Sequence, residues 1–283
     1  MTPSTYPLFW RDPALPYVEL RQVMDGRKVS YAPHSHEAWS IGAILEGESE
    51  FLCADRLHAV ERGALVMMNP DVVHACNPRQ DSPWAYYMMH LDKDWLVSLL
   101  FDAGIREHRS WQNTHLDTLT FDTLVSADLY ELFVVVCERL MAAELSSSDK
   151  SQILESYFIR LFKHLNNNAE ITTTMLPSNN LYPVANYLNQ FYLEDTSIEL
   201  ISAEFGFSTG YLVRAFKRHF NMTPHAYRLN RRIQLGQQAL KQGQSIADVA
   251  QTVGFSDQAH FHRIFKQRVA ATPDQYRRSM GPV

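Results

Sequence analysis

Two groups of residues in this chain have types and spacings that could do chemistry. One is His34-Ser35-His36-Glu37, followed by Gly63, Pro70 and His74. Two histidines at i and i+2 on a strand point to the same face, and His74 on a later strand could meet them. Three imidazoles make a workable divalent-metal set, whereas Glu37, adjacent to His36, would point to the other face. The same rings also serve as hydrogen-bond partners for a polar ligand. The other group is Thr209, Gly210, Val213, Arg214 and Lys217 in one stretch, and Gln258, His260, Arg263, Lys266 and Gln267 in another. Most of these side chains can hold phosphates or read base edges. A Walker-type phosphate loop and a Cys-x-x-Cys pair are both missing from the sequence, which reads as a non-enzyme with no cofactor.

The second group lies in a stretch that is written twice. Ser197-Ile198, Gly206-Phe207-Ser208, Arg214-Ala215-Phe216-Lys217, Thr223-Pro224 and Tyr227-Arg228 recur as Ser245-Ile246, Gly254-Phe255-Ser256, Arg263-Ile264-Phe265-Lys266, Thr272-Pro273 and Tyr276-Arg277. The offset is 48 residues up to the serine and 49 from the arginine onward, so the second copy carries one extra residue between those blocks. Each copy predicts a helix-turn-helix. Ile246, Val249, Ala250 and Val253 recur at helical spacing, Gly254 ends the first helix, Ser256 caps the next, and Phe261, Ile264, Phe265 and Val269 face a core. The first copy does the same with Ile198, Ile201 and Phe205, a turn at Gly206, a cap at Ser208, and Leu212, Ala215, Phe216 and Phe220. Ser202 and Ala250 occupy equivalent positions, and both are small enough for two helices to approach closely.

The 283 residues suffice for two domains, and the net charge of −5 is unevenly spread. Residues 183–283 hold 12 Lys/Arg against 7 Asp/Glu, and residues 1–182 hold 14 against 24. A basic C-terminal module suits a polyanion. Three dispersed cysteines, Cys53, Cys76 and Cys137, cannot all pair and fit a reducing compartment. The opening Met1-Thr2-Pro3-Ser4 does not read as a signal peptide, and no apolar run approaches a membrane span, so the expected location is cytoplasmic.

From Val18 to about Leu91 the chain predicts short strands, at Val29–Ala32, Ser40–Leu45, Glu50–Cys53, Leu57–Val60, Ala64–Met68 and Ala85–Leu91, punctuated by Gly47, Gly63, Asn69-Pro70 and Asn77-Pro78. Helices follow near Lys93–Phe101, Ala127–Leu145 and Lys150–Asn167, with apolar faces that can pack on the strands or on a second subunit. The fold class is therefore α+β in two domains. Residues 1–168 form a β-barrel with appended helices, residues 169–182 a polar, proline-containing linker, and residues 183–283 an all-α double helix-turn-helix.

Gly254-Phe255-Ser256-Asp257, His260-Phe261-His262-Arg263-Ile264-Phe265-Lys266 and Thr272-Pro273-Asp274-Gln275-Tyr276-Arg277 resemble the C-terminal motif of AraC/XylS-type transcriptional regulators, over about the last hundred residues. The resemblance implies two helix-turn-helix units joined by a linker helix, here about His225 to Gln242, that enter successive major-groove segments of promoter DNA. It implies a groove-facing set of Gly210, Val213 and Arg214, and of Gln258, Ala259, His260 and Arg263. Gly210 and Val213 cannot make bidentate base contacts, so the first unit would lean on Arg214, phosphates and methyl contacts. The histidine pattern resembles part of the cupin double motif. Metal-binding cupins supply a glutamate several residues after the second histidine, where this chain has Trp39, Ser40, Ile41 and Gly42. AraC-type sensor domains resemble cupins that use the barrel as an effector pocket, which points to His34, His36, Trp39, His74 and Tyr86 as effector-binding. The implied function is an activator controlled by a small-molecule effector, with a homodimer and RNA polymerase as further partners and no membrane association. The alternatives are a metal-dependent cupin enzyme or a metal-responsive regulator using His34, His36 and His74.

Overall fold

The computed structural model describes residues 7–79, 82–111, 122–168 and 181–278. Its N-terminal half is built on an antiparallel sheet in the order β1-β2-β7-β3-β5-β8. These strands are β1 (Leu8–Trp10), β2 (Val18–Val23), β3 (Trp39–Cys53), β5 (Ala64–Met68), β7 (Trp84–Leu91) and β8 (Thr123–Val125). The far end of β3 pairs instead with β4 (Arg56–Glu61) and β6 (His74–Pro78). The expected strands Ser40–Leu45 and Glu50–Cys53 are thus one strand that serves two sets of partners. Its register shifts between Ile44 and Glu46, and Gly47 follows at φ +77°. A Cβ at Gly47 would lie 1.5 Å from the Pro83 carbonyl oxygen, so only glycine lets the two chains meet there.

Period-two alternation sorts the faces of this sheet. Leu20, Trp39, Ile41, Leu65, Met67, Tyr87, Met89 and Leu91 join one core with the helices α1 (Lys93–Asp102), α2 (Ala127–Met141) and α3 (Ser147–Asn168). Val66, Met68, Trp84, Tyr86 and Phe51 face the interior. The expected strand at Val29–Ala32 does not form. Its N–H groups are used elsewhere: Val29 donates to Gly26, Tyr31 to the Asn77 side chain, and Ala32 to the Gln267 carbonyl of the other domain.

Most of the expected linker, 169–180, lies outside the described residues, and Tyr182 already begins α4 (Tyr182–Gln190). The helices after it are α5 (Ile198–Glu204), α6 (Thr209–Phe220), α7 (Pro224–Lys241), α8 (Ile246–Thr252), α9 (Gln258–Val269) and α10 (Pro273–Arg277). α5–α6 and α8–α9 are the two helix-turn-helix units, and α7 is the helix between them. Each unit has its own core. Ile201, Leu212 and Phe216 pack under α4, while Val249, Phe261 and Phe265 pack with Ile233 and Leu240 of α7 and Tyr276 of α10. The latter core also holds Phe9 of β1, 2% exposed. Ser208 caps α6 by accepting from the Tyr211 N–H, as expected. The cap of α9 is Asp257, not Ser256, and accepts from the His260 N–H. The extra residue of the second copy moves the cap by one position.

Candidate functional site

The solvent side of the two second helices is built by their caps and cores. With Leu212 and Phe216 fully buried in α6, Gly210, Arg214 and Lys217 are left exposed and Thr209 and Val213 half-buried. In α9, burial of Phe261 and Phe265 leaves Gln258, Ala259, Arg263, Lys266 and Gln267 exposed, and His260 half-buried against Phe255. The expected nucleic-acid set therefore collects on one side of each helix. A Cβ on Gly210 would meet Nη1 of Arg214 at 3.3 Å, so the guanidinium lies close over this glycine in the first turn of α6. Gly206-Phe207-Ser208-Thr209-Gly210 matches the Gly-x-Ser-x-Gly spacing of a nucleophile elbow. Here it joins two helices, not a strand to a helix, and Ser208 Oγ caps α6 by accepting from the Tyr211 N–H.

Arg232 of α7 is buried and ties the units together. It donates to the carbonyls of Tyr192, Leu193 and Gly254, and its Nη2 lies 3.1 Å from Asp195. No periodicity in the sequence distinguishes it from its solvated neighbours.

A cavity of about 720 Å³ lies between the β domain and the C-terminal helices. From the β domain it receives Glu19 and Arg21 of β2, His34 and His36, His74 and Cys76 of β6, and Trp84, Tyr86, Met88 and His90 of β7. From the other side come Asn230, Ile233, Gln234 and Lys241 of α7, Arg268 and Val269 of α9, and Tyr276. Of the expected effector residues, His34, His36, His74 and Tyr86 line it. Trp39 does not: it packs on Phe158 and Phe162 of α3, because alternation along β3 turns Trp39 outward and Ser40 inward. His90 and Tyr31 line it as well, beyond the expected set. His90 was legible, since Tyr86, Met88 and His90 alternate on one strand face; Tyr31 joins the site through a loop.

The four imidazoles form a contiguous set. Ring centroids are 4.4 Å apart for His34–His74 and 4.7 Å for both His36–His74 and His36–His90. Nδ1 of His34, His36 and His74 lies 2.9–3.0 Å from the carbonyls of Ala32, Ala38 and Val72. A carbonyl only accepts, so each Nδ1 carries the proton and each Nε2 is left as an acceptor. His90 Nδ1 is 2.7 Å from Ser40 Oγ. Burial, reinforced by neighbouring imidazoles, pushes His36 and His74 down to about 3 and His34 well below its usual value. Burial likewise takes His90 to about 4. The rings are neutral at pH 7. Among the described residues, no group of three or more His, Cys, Asp or Glu is arranged to hold a metal ion.

Tyr31 and Tyr86 share a 2.6 Å hydroxyl contact. Beside them, Glu19 is gripped by Arg11 at 2.7 Å, Lys241 at 2.8 Å and the Tyr276 hydroxyl at 3.2 Å. Burial alone would raise the Glu19 carboxyl, but Lys241 and Arg11 outweigh it and hold it far below the carboxylate range. The segment carrying His34 and His36 is itself held by α7. The Asn230 amide donates to Ser35, Gln234 donates to the Ser35 carbonyl at 2.9 Å, and Arg231 pairs with Glu37. A ligand at the histidines would therefore touch a segment that α7 grips directly.

A ligand-sized cavity in a cupin-like domain, roofed by a double helix-turn-helix, defines a two-domain, ligand-binding and DNA-binding class of protein. Comparison with known proteins agrees. Residues 17–161 match the AraC-like ligand-binding domain, and residues 201–279 match a helix-turn-helix domain. The chain belongs to the AraC family of transcriptional regulators. It is 26% identical over 227 residues, 80% of each chain, to the uncharacterized HTH-type transcriptional regulator YbfI of Bacillus subtilis. It is 24% identical over 254 residues to the raffinose operon transcriptional regulatory protein RafR of Pediococcus pentosaceus, covering 87% of this chain and 86% of that one. Among solved structures, unsaturated fatty acid bound ToxT of Vibrio cholerae superposes with a TM-score of 0.53 at 14% identity, covering 96% of this chain and 92% of that one. That likeness shows the fold. No helix among the described residues is long and apolar enough to cross a membrane.

Proposed function

We propose that this chain is a cytoplasmic transcriptional activator whose small-molecule effector occupies the cavity between its domains. The observation that carries this reading is the composition of the cavity wall: β2, β6 and β7 on one side, α7, α9 and α10 on the other. An effector there contacts both halves at once, and it shifts their arrangement by its differential affinity for the closed and loosened states. The ToxT structure holds a fatty acid, which supports a ligand role for this fold. Thr209, Gly210, Val213, Arg214 and Lys217 would face one DNA segment, and Gln258, Ala259, His260, Arg263 and Lys266 the next. A homodimer and RNA polymerase complete the activator reading.

The test is capture of genomic fragments by the purified protein at fixed, near-physiological salt, because phosphate contacts alone can mimic affinity. The expected result is one or a few promoters carrying a two-part site, its halves about one helical turn apart. Fragments without a bipartite site, or none above background, would overturn the reading.

A further inference from the structure

We propose that the interdomain cavity is built for an organic monocarboxylate with an apolar body, held between Arg21 of the β domain and Arg268 of the second helix-turn-helix. The inference rests on the effector reading above and names the chemistry of that effector.

It starts from charges that lack counter-charges. Arg21 is 4% exposed and Arg268 8% exposed, and both line the cavity. Buried guanidinium groups are ordinarily paired with carboxylates. Here the Arg21 fork donates to the carbonyls of Val269 and Ala270, and its Nε has no acceptor. Arg268 donates to the carbonyls of Pro33 at 3.0 Å and Ala226 at 3.1 Å. Among the described residues, neither has a carboxylate within ion-pair distance. The inner carboxylate, Glu19, is already shared by Arg11 and Lys241.

The other acidic residues of the wall are engaged or outside. Asp12 accepts from Ser147 and the Ala14 N–H, Glu37 pairs with Arg231, Asp92 caps α1, and Asp94 is exposed at the rim beside Lys93. The histidines add no charge but offer Nε2 acceptors. The inner wall of Arg11, Arg21, Lys241 and Arg268 against Glu19 is therefore cationic, in a space partly shielded from water. One negative charge placed between the two domains would complete it.

The rest of the wall argues for one charged group on an apolar body. Phe9, Tyr31, Met68, Trp84, Met88 and Ile233 surround the polar patch. A dianion would carry more desolvation than these walls repay. A neutral polyol would satisfy the histidine acceptors and leave the guanidinium groups as they are.

The experiment is calorimetric titration of the full chain at pH 7 and constant ionic strength, with hexanoate against hexanamide, benzoate against benzamide, and inorganic phosphate. We expect at least one acid to bind, at least tenfold more tightly than its amide. That preference should disappear in Arg21→Met and in Arg268→Met, each checked for a native melting transition, and the acid should bind at least tenfold more weakly to Met88→Trp, whose larger ring intrudes on the apolar wall beside the arginines. Equal binding of acid and amide, tighter binding of phosphate, or no binding of either acid overturns the anion inference and leaves the cavity reading standing. An acid preference that survives both arginine substitutions also overturns it. An acid affinity unchanged in Met88→Trp places the site elsewhere and removes the cavity reading as well.

Discussion

The two helix-turn-helix units are near-copies in sequence and differ in what holds them. Every interdomain hydrogen bond described above ends on α7, α9, the turn after α9, or α10. The first unit, α5–α6, packs on its own core with α4 and is tied to its twin through Arg232. The second unit takes Phe9 into its core, stacks Arg11 over Tyr276 with 4.3 Å to the ring centroid, and gives backbone carbonyls to Arg21 and Ala32. Duplication supplied two equivalent modules, and contact with the β domain made one of them the place where the cavity is felt.

Acid is the strongest way to separate them. The four cavity histidines have folded-state values far below 6.5, so the unfolded chain binds more protons as pH falls below that point. Stability should fall from about pH 6.5 downward, by about 1.4 kcal/mol per pH unit for each ring until the folded values are reached. Denaturant melts at pH 7 and pH 5, read by segment, should show the β domain and second unit losing several kcal/mol in total while the first unit changes less. A pH-independent midpoint would break the account of a neutral, buried cluster.

Glu19→Ala is next. It strands Arg11 and Lys241 in a buried site, and breaking such a pair is worth about 3–5 kcal/mol. Urea unfolding should show the loss, and an unchanged midpoint would mean the cluster is solvated. Phe9→Ala should follow, at about 3 kcal/mol, with early loosening of α8–α9.

Much of this architecture is legible in the sequence. The repeat places both units, their cores and the Ser208 cap, because helical periodicity and Gly turns are local properties; the cap of α9 falls one residue past the repeat, on Asp257. His34, His36, His74 and Tyr86 are legible from residue type, and His74 and Tyr86 from their strands, but His34 and His36 are not on a strand as expected: they lie in the segment before β3, where His34 makes an isolated bridge to His74. Trp39 is expected in the pocket yet packs on α3, since a tryptophan suits a pocket and a core equally and only the strand register separates them. The β-branched and aromatic composition of Val29–Ala32 suits a strand and does not reveal that its donors go to Asn77 and Gln267. The interdomain set of Glu19, Arg21, Lys241 and Arg268 was illegible for a simpler reason. A charged residue on a strand or helix reads as solvated until the surface that covers it is known, and here that surface lies more than two hundred residues away in the chain.

The smaller effects test the helices themselves. Arg214→Ala and Arg263→Ala should each weaken operator binding by about 1–3 kcal/mol in mobility-shift titrations at fixed salt. Unchanged binding in both would remove α6 and α9 from the groove. Ser208→Ala and Asp257→Ala should each cost about 1 kcal/mol of stability. Ser256→Ala should have little effect, which sharpens the one-residue difference between the copies.

The most direct measurement of the asymmetry is amide hydrogen exchange, peptide by peptide, on the wild type and on Glu19→Ala. Faster exchange is expected in α8, α9 and α10 of the variant, with α5 and α6 unchanged. Equal acceleration in both units, or none in either, would contradict the claim that the β domain grips the second unit alone.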